Sequence, residues 1–168
     1  ALQLDPYTLT PLWPDTVSIA GLLARIGLES GAWSEQDMAE VVARSGVAAT
    51  TNPHAVRRGQ HSVEELLAEP IYADPLRRHD CAPVTDGAAA IVLAASGPAQ
   101  DACERPAWIT GIAHSIDAQS LASRDLTLAP SAGRAATAAG VADVDVAELH
   151  APFSHQELIL RQEFSLGE

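Results

Sequence analysis

The chain has 168 residues, of which 47% are hydrophobic but only 4% aromatic, and it carries a formal net charge of -12. That length suits one ordinary domain or a large part of a bigger one, and the acidity repels phosphate backbones, which argues against nucleic-acid binding. No apolar run approaches the roughly 20 residues that span a bilayer.

The stretch Ala1-Leu2-Gln3-Leu4-Asp5 has no basic flank and no long apolar core, so no signal peptide is expected. The absence of an initiator Met suggests a processed or truncated chain. Val17, Ile19, Leu22, Leu23 and Ile26 recur at helical spacing and predict a helix across 15–28. Ser34-Glu35-Gln36-Asp37 resembles a capping box and opens a second helix, with Met38, Val41 and Val42 on one face. Ser62-Val63-Glu64-Glu65 is a better capping box, and Pro70 ends the helix that it starts. Residues 71–83, with Pro75, His79 and Pro83, read as a loop crossing a surface or an interface.

Ala88 to Ala95 is a continuous small, apolar run, the pattern of a strand buried on both faces. A linker is expected over 97–106 and a further strand over 108–113. Ala129 to Gly140 is an Ala-rich helix stopped by its glycine. A short strand over 145–149 and an amphipathic helix over 153–164 complete the chain. The second half thus alternates strand and helix, as α/β proteins do. The first half is helical and loop-rich, like a lid or an insertion.

Cys81 and Cys103 stand far apart and fit no metal spacing, so no metal site is expected. Both suit a reducing, cytoplasmic compartment as free thiols. Asp86-Gly87 is a turn, and Ala88, Ala89 and Ala90 after it let a helix or second sheet approach closely. His150 follows a short strand and precedes a helix, a place where side chains often line a ligand crevice. The plain alternative is a histidine hydrogen-bonded at that junction. His155 lies five residues further on and does not share a helix face with His150, so the two are not expected to hold a metal.

Two segments together are more specific. The first runs from Ser62-Val63-Glu64-Glu65-Leu66-Leu67 through Ala73-Asp74-Pro75-Leu76 to Asp80-Cys81-Ala82-Pro83-Val84-Thr85-Asp86-Gly87-Ala88-Ala89-Ala90. The second runs from Gly140-Val141 to Asp145-Val146-Ala147-Glu148-Leu149-His150-Ala151-Pro152-Phe153. In this order they resemble the thiolase superfamily, and its sterol-carrier-protein (nonspecific lipid-transfer) type most closely. Asn52-Pro53-His54 extends the resemblance over nearly the whole chain.

The resemblance implies an α/β fold of the layered αβαβα thiolase kind, present as a central piece. Residues 1–83 would be the lid and loop region, 84–106 the last strand of the N-terminal half with a linker, and 107–168 the first part of the C-terminal half. It implies acyl-CoA handling, with carbon–carbon bond formation or thiolytic cleavage in lipid or sterol metabolism. The coenzyme A thioester would be substrate, with no tightly bound cofactor. His150 would help bind the thioester oxygen in an oxyanion hole. Arg57 and Arg58 are candidates for the coenzyme phosphates, against the plain alternative of a solvated face or a subunit salt bridge.

The family's acyl-accepting Cys precedes this region, and its second Cys and His lie beyond a Gly-rich stretch after His150. Neither Cys81 nor Cys103 matches those positions. The sequence also departs from the pattern. Ala151 stands where an acidic residue usually follows, and Ala82 where the lid often presents a Ser to the coenzyme. The departures keep a second class open: a steroid side-chain retro-aldolase subunit working with an OB-fold, zinc-ribbon partner, or an acyl-CoA carrier without turnover. Such proteins are usually homodimers or tetramers.

Overall fold

The computed structural model describes Tyr7 and residues 9–166. The N-terminal stretch read above for a leader lies outside them. Helix α1 spans Thr16–Ser30; Asp15 accepts a hydrogen bond from the Ser18 amide at 2.6 Å, and Gly31 ends the helix in the left-handed region at φ 73°. Helix α2 spans Glu35–Ala48 and α3 spans Val63–Ala68. Both start on the reciprocal caps that their sequences predict, Ser34 with Asp37 and Ser62 with Glu65.

The stretch 71–83 is more ordered than a loop. Strands β1 (Ile71–Ala73) and β2 (Leu76–Arg77) form an antiparallel hairpin across a cis Asp74–Pro75 bond. A single 3-10 turn, Arg78–Asp80, follows. Helix α4 (Ser96–Ala102) occupies most of the expected linker. Helix α5 (Pro130–Ala139) ends at Gly140 as its composition predicts, and α6 spans Ser154–Glu163.

The core gathers Ala20 and Ala24 of α1, Trp33, Met38 of α2, Leu76 of β2, Cys81 and Phe153, with Leu158 and Ile159 of α6 packed against them. The buried stripe of α1 is not its large apolar residues but Ala20, Gly21, Ala24 and Gly27, while Leu22 is 44% exposed. Small residues win because neighbours come close. A Cβ on Gly21 would stand 2.9 Å from the Asp74 carbonyl oxygen, and one on Gly27 only 1.8 Å from Cζ2 of Trp33. An open helical Gly→Ala exchange stabilises by up to about 1 kcal/mol. At Gly27 the sign reverses, because the Trp33 ring must leave its seat. Gly27→Ala is expected to lose roughly 1–3 kcal/mol, the usual penalty of overpacking. A urea midpoint equal to or above that of the parent would refute this.

The expected strands at 88–95, 108–113 and 145–149 form no ladder among the described residues. Their apolar side chains stand in the open: Ile91 is 83% exposed, Val92 95%, Ile112 89% and Val146 77%. A strand exists only while a neighbour takes up its N–H and C=O groups. No other strand pairs with these segments among the described residues. The architecture is therefore mixed helix and sheet, with its packed part made by α1, α2, the hairpin and α6.

Candidate functional site

The segment 150–154 is held by the turn after β2. The Ala82 amide donates to the Pro152 carbonyl at 2.8 Å, and Cys81 pairs with Phe153 in an isolated antiparallel bridge. The Ser154 hydroxyl donates to Asp80 Oδ1 at 2.5 Å, while Asp80 Oδ2 accepts from the Arg77 amide at 2.8 Å. Asp80 is 3% and Ser154 6% exposed, so this carboxylate ties the turn to the first residue of α6 away from solvent.

That clasp sets His150 at a cavity of about 400 Å³ whose walls include Leu23, Leu126, Leu128, Ile159 and Leu160. The ring is exposed, and no hydrogen bond from another described residue holds it. A histidine satisfied at a strand–helix junction would have such a partner. His150 is therefore free to donate from its imidazole to an oxygen at the cavity mouth.

Arg57 and Arg58 line a second cavity of about 620 Å³, together with Ala151 and Ser154. Pro152 borders both cavities. The structure thus brings the two arginines together at one cavity and places His150 at the other. Arg57 Nη1 donates to the carbonyls of Arg78 at 3.0 Å and Cys81 at 3.1 Å; Arg58 Nη1 donates to the Asn52 carbonyl at 3.2 Å. Arg57 therefore braces the turn that holds 150–154. A guanidinium has five N–H donors, so these bonds leave others on both side chains.

His155 is a core residue. It is fully buried, its ring lies 5.9 Å from Trp33 and 6.1 Å from Phe153 between centroids, and neither ring nitrogen has a hydrogen-bond partner. Burial pushes its pKa down to about 4, against the weaker opposing pull of Asp80. Burial, and then the charge of Asp80, push the Cys81 thiol up, which keeps it protonated and unreactive. Among the described residues no cluster of three or more His, Cys, Asp or Glu side chains could hold a metal, and no helix is long and apolar enough to cross a membrane.

The Asp80–Ser154 pair and the burial of His155 had no signal in the sequence. Each depends on two segments, 77–82 and 153–155, meeting in space.

No protein-family model matches the chain. Among curated proteins, an acetyl-CoA acetyltransferase of Methanothermobacter thermautotrophicus is 28% identical over 144 residues, covering 82% of this chain and 38% of that protein. The benzoylsuccinyl-CoA thiolase subunit BbsB of Thauera aromatica is 28% identical over 138 residues, 78% of this chain and 36% of its own length. An acetyl-CoA acetyltransferase of Methanocaldococcus jannaschii is 30% identical over 124 residues, 68% of this chain and 32% of its own. The chain is similar to thiolases. It spans about a third to two fifths of the length of these relatives, so its mixed helix-and-sheet structure is a partial thiolase-like piece.

Proposed function

We propose that this chain belongs to an acyl-CoA-handling, thiolase-like acyltransferase, in which His150 helps bind the thioester oxygen. The observation that carries this is the unpartnered His150 ring at an apolar cavity, in a chain whose length is mostly matched by thiolases. A donor aimed at that oxygen stabilises negative charge as it develops on acyl transfer. Pro152 borders both a largely apolar cavity, suited to an acyl group, and one where Arg57 and Arg58 would meet the coenzyme phosphates beside Glu69, Asp80 and Glu157. Such an arrangement would set the thioester across residues 150–152. The lid and two-half division at 83 and 106, a cytoplasmic setting in lipid or sterol breakdown, and a homodimer or tetramer belong to the same reading. The exposed Ile91, Val92 and Ile112 suit burial in a larger layered assembly.

Ala151 favours a second reading: the sterol-carrier-type relative that binds or cleaves without thiolysis, either a retro-aldolase subunit with an OB-fold partner or a carrier. Its lack of a carboxylate beside His150 removes a group that could order water or a neighbouring donor.

Incubation of the full-length protein with acetyl-CoA, read by intact mass and by CoA release, tests the two. An acyl adduct on a Cys outside this chain is expected, with His150→Ala slowing its formation about 10²–10³-fold, the loss typical of one oxyanion donor. Tight binding with no adduct favours the second reading. No binding of acetyl-CoA sinks both.

A further inference from the structure

We propose that the cavity beside His150 accepts an acyl group whose far end carries a carboxylate, and that Arg124 recognises that carboxylate. This rests on the reading of His150 as the thioester-oxygen donor. The chain's ten arginines differ in what takes up their charge. Arg25 pairs with Asp74, Arg44 with Glu157, Arg77 with Glu35 and Arg134 with Asp117. Arg57 and Arg58 bond to carbonyls, Arg78 lies over the Tyr72 ring at 4.8 Å, and Arg161 also has a partner. Among the described residues this leaves Arg105 and Arg124, and only Arg124 lines one of the two cavities above.

Arg124 has no carboxylate partner among the described residues. Its neighbour Asp125 is committed elsewhere, accepting from the Thr127 amide at 2.9 Å and hydroxyl at 2.6 Å. Among the described residues no acidic side chain lines the cavity, and Gln156 is the other polar side chain there besides Arg124 and His150. The volume of about 400 Å³ falls within the roughly 300–1,000 Å³ of small-molecule sites. Apolar walls with an arginine among them match an acyl stem that carries an anionic group, and a guanidinium fork fits a carboxylate in two-point contact.

The test uses adipoyl-CoA and hexanoyl-CoA, which have the same carbon number and differ in a terminal carboxylate against a methyl. Their affinities for the full-length protein are measured by titration calorimetry, with the parent, Arg124→Gln and Arg124→Lys. The parent is expected to prefer adipoyl-CoA about tenfold, or about 1.4 kcal/mol, and less at high salt. Arg124→Gln should erase that preference by weakening adipoyl-CoA alone, and Arg124→Lys should keep part of it. Equal affinities in the parent, or equal weakening of both thioesters by Arg124→Gln, would overturn the carboxylate site and leave the thioester reading standing. Binding of neither thioester overturns both.

Discussion

Replacing Asp80 with Ala should destabilise the protein by about 3–4 kcal/mol, and the loss should reach the candidate site. The carboxylate accepts from the Ser154 hydroxyl on one oxygen, in a buried setting, and from the Arg77 amide on the other, in a part-buried one. Alanine leaves one buried and one part-buried donor with no acceptor, the buried one worth roughly 1–3 kcal/mol of desolvation and the other less. Asp80→Asn keeps an acceptor for one of them, so its loss should be smaller. The ordering of parent, Asn and Ala in urea midpoints checks the argument, and an Ala variant as stable as the parent would refute it. The same bond fixes the first residue of α6 four positions beyond His150. Asp80→Ala should therefore weaken thioester binding even under conditions where the variant stays folded.

What was legible in the sequence follows from the range of the forces involved. The starts of α2 and α3 are set by caps within three residues, and the end of α5 by a glycine with positive φ. Such local chemistry is written in consecutive letters. The hairpin at 71–77 was missed because two prolines argued for a loop, whereas Pro75 sits in the turn itself, fully buried. The buried face of α1 was read from Leu22 and its large neighbours, but Gly21 and Gly27 let Asp74 and Trp33 come closer than any side chain would allow. The strands at 88–95, 108–113 and 145–149 have the right letters and no ladder, since pairing depends on what lies alongside.

The candidate site divides in the same way. His150 is singled out from an expected strand end that forms no ladder among the described residues; the helix read just beyond it is the part that exists, as α6. Arg57 and Arg58 could be named as cations, but not that Arg57 would brace the 78–81 turn through two carbonyls. Arg124 gave no signal at all. Its interest lies in the partners that the other arginines have found.

Acidification from pH 6.5 to pH 4 should destabilise the protein by about 3 kcal/mol through His155 alone. An unfolded chain takes up a proton on this histidine near its ordinary pKa of 6.5, whereas burial between Trp33 and Phe153 holds the folded value at about 4. Above pH 6.5 both states are neutral there and nothing is lost. As the pH falls through the window, the unfolded state binds a proton that the folded state refuses, and stability drops at about 1.4 kcal/mol per unit. Below pH 4 the folded state accepts it too and this contribution levels off. Asp15, Asp117 and Asp125 are all depressed from an ordinary 3.8 by bonds to nearby hydroxyls and amides, so their losses begin about a unit above that value and overlap the acid end of the histidine's window, equally in the parent and in a His155 variant. His155→Phe keeps a flat ring between Trp33 and Phe153 and removes two buried nitrogens that have no partner. That variant should be at least as stable as the parent at pH 7.5 and should lack about 3 kcal/mol of the decline by pH 4. Urea denaturation of both proteins across this range decides it: parallel curves would show that protonation of His155 is not what loosens the fold. Because Phe153 and Ser154 join His155 to the residues beside His150, the parent should also release an acyl-CoA more readily in that window, and the Phe variant should not.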